Sequence, residues 1–304
     1  MRVLRTTSLR VAALLPLVAL AACSGGSLEP HGPIASAERT LMLDSMIIML
    51  AIIGPTIIAT LAFGWWYRAS NGKARFRPEF VHSGKIELLT WSAPLLTIML
   101  LGGVTWVSSH ELDPAKPLVS KNPTLDVEVV SLDWKWLFIY PKQHVASINR
   151  LVIPADTPIH FSMTSASVMN TFFVPQLGSS LYTMSGMATS LYLQADKPGT
   201  YPGLSGHYSG DGFSDMHFDV VAQTPDQFDA SIAAIRAKGP TLDSRSYDDL
   251  LWQSTPPNPF TYRDVEPDLF HKIVSLALPS GYGPTKGQPG APMQGAATPA
   301  PTKM

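Results

Sequence analysis

The sequence predicts a membrane α plus all-β protein: a two-helix transmembrane hairpin followed by a β-sandwich with a short helical C-terminal extension. Three patterns in the 304 residues support this prediction. Two charge-free stretches of about helix-spanning length lie in the N-terminal third, at residues 45–67 and 88–109. Short alternating apolar segments with Gly and Pro between them follow from about residue 126. Beyond residue 224, apolar residues recur at helical spacing.

The first residues have the form of a targeting segment. Three arginines within the first ten residues precede a short apolar run, and Leu-Ala-Ala then leads to Cys23, the single cysteine. This arrangement resembles the bacterial lipoprotein processing box, which implies a signal peptide at residues 1–22 and lipid attachment at Cys23. The alternative is an ordinary secretory signal with a cysteine there by chance. Residues 23–40 are expected to be a periplasmic tether, because Ser24 to Ser27 is rich in Gly and Ser.

The two charge-free stretches predict transmembrane helices at residues 41–67 and 86–109, joined by a cytoplasmic loop at 68–85. Aromatic residues cluster near their ends, as they do at a membrane interface. The loop carries five basic residues against one acid, Glu79, whereas the segments outside the pair are not basic. The positive-inside rule therefore places the loop in the cytoplasm and both outer ends outside. A buried helical hairpin of a water-soluble protein is the alternative.

The remainder of the chain predicts a β domain and then a less regular region. Strands are expected over residues 125–129, 136–140, 150–153, 158–163, 190–194 and 217–222. An aromatic-rich helical extension with three helices is expected over residues 226–276. The first helix ends at Lys238-Gly239-Pro240, the second covers residues 246–252 and the third covers residues 267–276. Residues 277–304 are rich in Gly, Pro, Ala and Thr, and this composition predicts a disordered tail.

Specific motifs within the β region carry a family resemblance. The matching segments are 132–136 (Leu-Asp-Trp-Lys-Trp), 140–141, 165–178, 198–201 and 205–210. Together with the two preceding helices they resemble subunit II of bacterial haem–copper ubiquinol oxidases, of the cytochrome bo type. The resemblance runs from the signal segment to about residue 275. It implies that residues 110–225 form a cupredoxin-like β-sandwich on the periplasmic side.

The resemblance also implies that a copper site has been lost. Relatives that oxidise cytochrome c hold two coppers with a histidine before one strand and a Cys-x-x-x-Cys-Gly-x-x-His-x-x-Met loop. The matching positions here are Asn170, Ser205, Ser209 and Phe213, and only Met216 is retained. Copper requires thiolate or imidazole ligands, so this set predicts no metal in the chain. A substitute metal site formed by neighbouring histidines and methionines is the weaker alternative.

Two further features have two interpretations each. Trp134 and Trp136 match aromatic residues that serve as the electron entrance in cytochrome c-oxidising relatives; here they are expected to pack the domain against subunit I. Glu87 stands at the cytoplasmic start of the second span. The resemblance implies a role at the mouth of a proton channel called the K-pathway. The alternative is a carboxylate favoured only by the helix dipole.

The expected function is that of a subunit without an active site, in an H⁺-transporting ubiquinol oxidase. The resemblance implies that the complex oxidises ubiquinol, reduces oxygen to water and pumps protons, with haems and copper in subunit I. It implies as partners subunit I, the other oxidase subunits and the lipid bilayer of the bacterial inner membrane, with no cytochrome c. The near-zero net charge gives no reason to expect nucleic acid. The alternatives are a copper-containing cytochrome c oxidase subunit and a free-standing membrane-tethered lipoprotein.

Overall fold

A computed structural model describes residues 26–75, 77–253 and 258–281. The predicted signal peptide, Cys23 and residues 282–304 of the predicted tail lie outside the described residues. The chain divides into two compact units. One is a helical unit of residues 37–113, and the other is a β unit that combines the preceding residues with those from Pro114 onward.

The helical unit consists of two long helices whose apolar side chains face outward. Helix α1 spans Pro33–Trp66 and helix α2 spans Gly84–Glu111, and both are long and apolar enough to cross a membrane. Large side chains along them are mostly exposed, including Ile58 at 68% and Trp91 at 74%. Such exposure is stable only where lipid or a partner protein replaces water. The two helices include nearly all residues of the two predicted spans.

Helix α1 begins earlier than predicted, at Pro33 instead of residue 41. Proline suits the first helical position, because its missing N–H would have no partner there and its φ angle is already helical. Glu38, Arg39 and Asp44 interrupt the apolar pattern in this part of the helix. The helix start predicted from the sequence therefore lies too close to the C-terminus. The expected tether at residues 23–40 is therefore partly helical.

Residues 29–35, which we call the N-terminal strap, are held against the β unit by three backbone hydrogen bonds. The N–H of His31 donates to the carbonyl of Gln176 at 2.7 Å, and its own carbonyl accepts from Asp196 at 2.8 Å. The N–H of Ala35 donates to Leu177 at 3.2 Å. The prediction of a flexible tether is wrong for these residues, because their backbone groups are hydrogen-bonded to the β unit.

Close packing fixes the strap as firmly as the hydrogen bonds do. A Cβ atom at Gly32 would lie 2.2 Å from the Gln194 carbonyl oxygen, so only glycine fits beneath that loop. Gly178, at φ +125°, lies against Ile34, where an added Cβ would come within 2.6 Å of the Ile34 side chain. Ala35 is 2% exposed. These contacts define one arrangement of the strap on the domain.

The β unit is built on two sheets packed face to face, as the cupredoxin-like prediction requires. One has six strands in the order β12-β3-β2-β1-β5-β8, and the other has five in the order β4-β10-β9-β6-β7. Most pairs are antiparallel, whereas β1 with β5 and β4 with β10 are parallel. The strands are β1 Leu125–Leu132, β2 Lys135–Tyr140, β3 Val145–Ile148, β4 Arg150–Pro154, β5 Ile159–Ser165, β6 Asn170–Val174, β7 Gly178–Thr183, β8 Thr189–Leu193, β9 Gly199–Ser205 and β10 His217–Gln223, with β11 Thr241–Leu242, β12 Phe260–Tyr262 and β13 Asp264–Val265 in the extension.

Strand β2 is buried along its whole length because both faces of the six-stranded sheet are covered. Trp136 and Phe138 point into the core between the two sheets. Leu137 and Ile139 belong to a second core on the opposite face. Successive residues of a strand point to opposite faces, so a continuous apolar run indicates cover on both sides.

The C-terminal extension supplies that second cover. It contains helices α3 Pro225–Ala237, α4 Ser244–Leu250 and α5 Leu269–Val274, which confirms the three predicted helices. Its buried residues Tyr247, Leu269 and Ile273 belong to the second core. The extension is not purely helical, because β12 pairs with β3 and becomes the edge strand of the six-stranded sheet. It is therefore a third layer of the β unit.

Candidate functional site

The five positions that the resemblance matches to copper ligands lie together at one end of the five-stranded sheet. Asn170 is the first residue of β6, and Ser205 is the last residue of the neighbouring strand β9. Ser209, Phe213 and Met216 follow on the loop that leads to β10. Strands β6 and β9 pair next to these residues, with Phe172 opposite Ser205. The topology thus brings the predicted positions to one place.

Four of the five side chains contact one another in two pairs. The Ser205 hydroxyl donates to the Asn170 side-chain carbonyl at 3.1 Å, and both residues are buried. The Ser209 hydroxyl lies 3.9 Å from the sulfur of Met216, which is 1% exposed. A buried amide and hydroxyl are stable when they bond to each other. The former ligand positions therefore satisfy their own polar groups.

Phe213 takes a different role in the same loop. It begins the short 3₁₀ turn Phe213–Asp215 and is half-buried. Its ring meets that of Tyr208 edge-on, with the two centroids 5.6 Å apart. An aromatic pair of this geometry stabilises the loop by packing. The position that would carry an imidazole thus contributes hydrophobic contact.

This donor set does not fit a copper centre. Neutral hydroxyls and an amide oxygen are hard, weak ligands for copper, which prefers thiolate, thioether and imidazole groups. Met216 alone offers a soft donor, and phenylalanine has no donor atom. In residues 26–75, 77–253 and 258–281, no group of three or more His, Cys, Asp or Glu side chains is arranged to hold a metal ion.

Trp134 packs across this loop and is itself nearly enclosed. It occupies the tight turn between β1 and β2 with a φ of +64°, a conformation that is costly for a bulky residue. Its indole N–H donates to the Ser209 carbonyl at 3.1 Å, and added Cβ atoms at Gly210 and Gly212 would lie 3.4 and 2.3 Å from its ring. These contacts hold the strained turn in place.

Trp136 is part of the central core of the β unit. It is 0% exposed, and its ring lies 5.5 Å from those of both Phe172 and Phe218. The expectation that Trp134 and Trp136 pack the domain against subunit I is therefore wrong. Their surfaces are covered by this chain, because the two glycines of the loop and the aromatic core enclose them.

Lys135, between the two tryptophans, ties the β1–β2 turn to the extension. Its ammonium group donates to the Trp252 carbonyl at 2.7 Å. Burial lowers the pKa of Lys135 to about 8, and the negative charge of Asp133 opposes that shift. The side chain of Asp133 accepts a hydrogen bond from the Ser167 hydroxyl at 2.5 Å. The whole 132–136 motif thus serves the architecture of the domain.

Glu87 lies in the first turn of α2, as predicted, and has a partner that the sequence analysis missed. The His82 Nδ1 atom lies 3.1 Å from a Glu87 carboxylate oxygen. The Glu87 and His82 side chains are 53% and 69% exposed. An acid and an imidazole in contact at a helix entrance can exchange protons with water. The sequence did hold one indication of this contact, because His82 directly precedes the N-cap Ser83 and so lies close to the first turn that carries Glu87.

The strap gives independent support for the membrane topology. It contacts the loops around Gln176 and Asp196, so it lies in the same compartment as the β domain. The two apolar helices lie between the strap and that domain in the sequence. A chain that returns to its starting side must cross the membrane an even number of times. Two spans satisfy this condition.

Comparison with known proteins gives matches along most of the chain. The family described as "Cytochrome C oxidase subunit II, periplasmic domain" matches residues 126–223. Among solved structures, the periplasmic domain of subunit II of cytochrome oxidase (CoxB) of Bradyrhizobium japonicum matches with 20% identity and a TM-score of 0.36. That match covers 38% of this chain and 96% of the other.

Full-length relatives match at higher identity. The "Ubiquinol oxidase subunit 2" of Acetobacter aceti is 46% identical over 269 residues, which cover 88% of this chain and 87% of the relative. The "Cytochrome bo(3) ubiquinol oxidase subunit 2" of Pseudomonas aeruginosa is 42% identical over 268 residues, covering 88% and 81%. The chain therefore belongs to the family of subunit II of bacterial haem–copper ubiquinol oxidases, of the cytochrome bo type.

Proposed function

We propose that this chain serves a proton-pumping ubiquinol oxidase complex without carrying out redox chemistry itself. The observation that carries the proposal is the replacement at the former ligand positions. Asn170, Ser205 and Ser209 are engaged by hydrogen bonding or sulfur contact, and Phe213 packs as a hydrophobic residue. An electron that entered the domain would find no metal acceptor there. The electron donor of the complex is therefore ubiquinol, which delivers its electrons elsewhere.

The proposed arrangement assigns the haems, the remaining copper and the quinol chemistry to subunit I. The relatives from Acetobacter aceti and Pseudomonas aeruginosa are named as subunits of ubiquinol oxidases, which supports this substrate. The present chain would support subunit I and cover its periplasmic face. Cytochrome c has no role in this scheme.

The proposed contribution of this chain to proton transfer is Glu87. Its carboxylate stands at the start of α2, next to the basic segment assigned to the cytoplasm, and contacts His82. A carboxylate in contact with an imidazole at a water-exposed helix end is suited to passing protons from water inward. From there, protons would pass to the K-pathway of subunit I.

The proposed attachment to the inner membrane is twofold, by the two helices and by a lipid on Cys23. The Leu-Ala-Ala-Cys sequence supports lipidation. The strap begins six residues after Cys23, so an acylated Cys23 would lie on the side of the β domain. This agrees with lipidation on the outer face of the membrane. Mass spectrometry of the mature N-terminus distinguishes acylated from unmodified Cys23.

Metal analysis of the chain, produced without subunit I, tests the absence of copper. We expect fewer than about 0.1 copper per chain after copper loading, because the donors are hard and neutral. The matched control is the N170H/S205C/S209C/F213H variant. It restores imidazole and thiolate donors at positions that already lie together, so it should take up copper and show a near-infrared band. Stoichiometric copper in the unaltered chain would refute the proposal.

Oxygen consumption by the purified complex tests the two remaining parts. Ubiquinol should support turnover and reduced cytochrome c should not. Replacement of Glu87 by alanine should slow turnover with ubiquinol roughly tenfold or more, while haem content stays unchanged. E79A is the matched control, because Glu79 is an exposed carboxylate of the loop that precedes α2. Equal turnover of the E87A and E79A enzymes would rule out the proton-uptake role.

A further inference from the structure

A cavity lies at the end of α1 next to the basic loop, and its lining includes neither Glu87 nor any of the positions matched to copper ligands. Its volume is about 580 Å³, within the range of ordinary ligand sites. One part of its wall is cationic and the other part is aromatic. The lining residues are Trp66, Tyr67, Lys73, Arg75, Arg77 and Phe80.

The three basic side chains around the cavity lack partners in the described part of the chain. No ion pair or side-chain hydrogen bond there involves Lys73, Arg75 or Arg77. Glu79, the acid of the same loop, makes no ion pair with them within 4.0 Å. Like charges that line one cavity repel one another unless an anion lies between them.

Arg68, in the same loop, differs from these three residues because its side chain has partners within the protein. Its guanidinium donates to the Trp65 carbonyl at 2.8 Å and to the Ser70 hydroxyl at 3.0 Å. It also lies over the Trp65 ring, 4.6 Å from the centroid. The protein thus satisfies Arg68 by itself. The three cavity cations, by contrast, are left for a ligand from outside.

The aromatic wall indicates which kind of anion fits. Trp66, Tyr67 and Phe80 are 46%, 60% and 60% exposed, and the first two are the last residues of the charge-free stretch 45–67. Aromatic residues at the end of a span lie at the depth of the lipid headgroups. A ligand that meets both walls therefore has a phosphate for the cations and a glycerol–acyl region for the rings.

We propose that this cavity binds the phosphate group of an anionic phospholipid, such as phosphatidylglycerol, from the cytoplasmic leaflet. Basic pockets on this side of membrane helices suit such headgroups. Three cations around one phosphate should favour an anionic over a zwitterionic lipid roughly a hundredfold. The site depends on the insertion of the two helices in the membrane and is independent of the quinol chemistry.

The test uses the purified oxidase complex in nanodiscs that contain phosphatidylcholine with a minor fraction of phosphatidylglycerol. Native mass spectrometry counts the phosphatidylglycerol molecules that stay bound after release. The K73Q/R75Q/R77Q variant should retain at least one molecule fewer than the unaltered complex. K116Q/K121Q/K197Q is the matched control, because it removes three exposed charges from the outer unit and should retain the full number. The charge-preserving K73R/R75K/R77K variant should also retain it, which separates charge from loop folding.

Each other outcome contradicts the proposal. Equal retention by the K73Q/R75Q/R77Q variant and the unaltered complex would show that the cavity holds no anionic lipid. Displacement of phosphatidylglycerol by millimolar sodium phosphate, but not by sodium chloride of equal ionic strength, would assign the site to soluble phosphate. Binding by the isolated chain but not by the complex would show that another subunit fills the cavity.

Discussion

The two units of this protein use apolar side chains in opposite ways. In the β unit, Trp136 and Phe172 are 0% exposed and pack against each other. In the helical unit, Trp91 and Ile98 are 74% and 68% exposed. The chain thus encloses the first pair by itself, whereas the second pair needs lipid or another subunit. The β unit is stabilised from within, and the helical unit is stabilised by its surroundings.

The two units also differ in how they satisfy the polar and charged side chains that the proposals concern. Glu87 with His82, and the cavity cations with their free side chains, lie in the helical unit. In the β unit, Asn170 and Ser205, which match copper-ligand positions of relatives, bond to each other. The strands around them are held by packing of the two sheets, so the shape of the domain does not depend on a ligated metal.

The largest expected effect is that of Trp136→Ala on the β unit. Removing this enclosed ring opens a cavity between Phe172 and Phe218 and should cost about 3–5 kcal/mol of unfolding free energy. Pulse proteolysis of the purified chain in urea measures the unfolding free energy of the β unit. Trp136→Phe is the control, since it keeps a ring and removes an indole N–H that has no hydrogen-bond partner among the described residues. It should cost less than half as much; equal costs would show that the ring is not the source of stability.

A second prediction concerns Glu128, a half-buried acid on strand β1 of the β unit. It lines a cavity of about 490 Å³ under the extension, together with His144, His271, Glu266 and Asp268 among others. Burial, and then the negative charges of Asp126 and Asp268, raise the pKa of Glu128 to about 7. Because the folded state binds this proton more tightly than the unfolded state, Glu128 makes the β unit lose stability as the pH rises from about 4.5 to about 7.

Glu128→Gln removes that dependence. After allowance for solvent screening, the variant should be more stable than the unaltered chain by about 1 kcal/mol at pH 8 and should not be more stable at pH 4.5. Unfolding in urea at several pH values gives the comparison. Asp156→Asn, an exposed acid of the same unit, serves as control. A stability difference that does not change with pH would show that Glu128 carries no raised pKa.

The smallest effect is expected for Ile98→Ala in helix α2. Its side chain is 68% exposed and belongs to the helical unit, so the unfolding free energy of the β unit should change by less than about 0.5 kcal/mol. Pulse proteolysis in urea applies here as well. A loss comparable to that of Trp136→Ala would mean that the two units unfold together, and the contrast between them would fail.

Sequence patterns predicted the parts of the fold whose residues report their surroundings directly. The charge-free runs located α1 and α2, and the alternation in residues 125–129 located β1. Apart from the short strands of the extension, four strands were missed: β3, β6, β7 and β9. The last two are rich in Gly, Ser and Thr, as in Gly178–Thr183. Such strands carry little hydrophobic signal because their neighbours, not their own side chains, hold them in the sheet.

The candidate site was only partly predictable for the same reason. Resemblance identified Asn170 and Ser205, but their mutual hydrogen bond depends on the pairing of β6 with β9. Trp136 was expected to pack against subunit I because the sequence does not show which segment covers each face of a strand. Its continuous apolar run, residues 136–140, already indicated cover on both faces. The second cover comes from the extension, more than a hundred residues later.

The strap imposes an order on the synthesis of this protein. Residues 29–35 leave the ribosome first, yet their hydrogen-bond partners are Gln176, Leu177 and Asp196, about 140–165 residues later. The strap therefore stays without these partners until both helices have inserted and the chain has been exported through Asp196, just after β8. Docking of the strap is then a late step in biogenesis, because it requires the segments that carry Gln176, Leu177 and Asp196 to have reached the same side of the membrane.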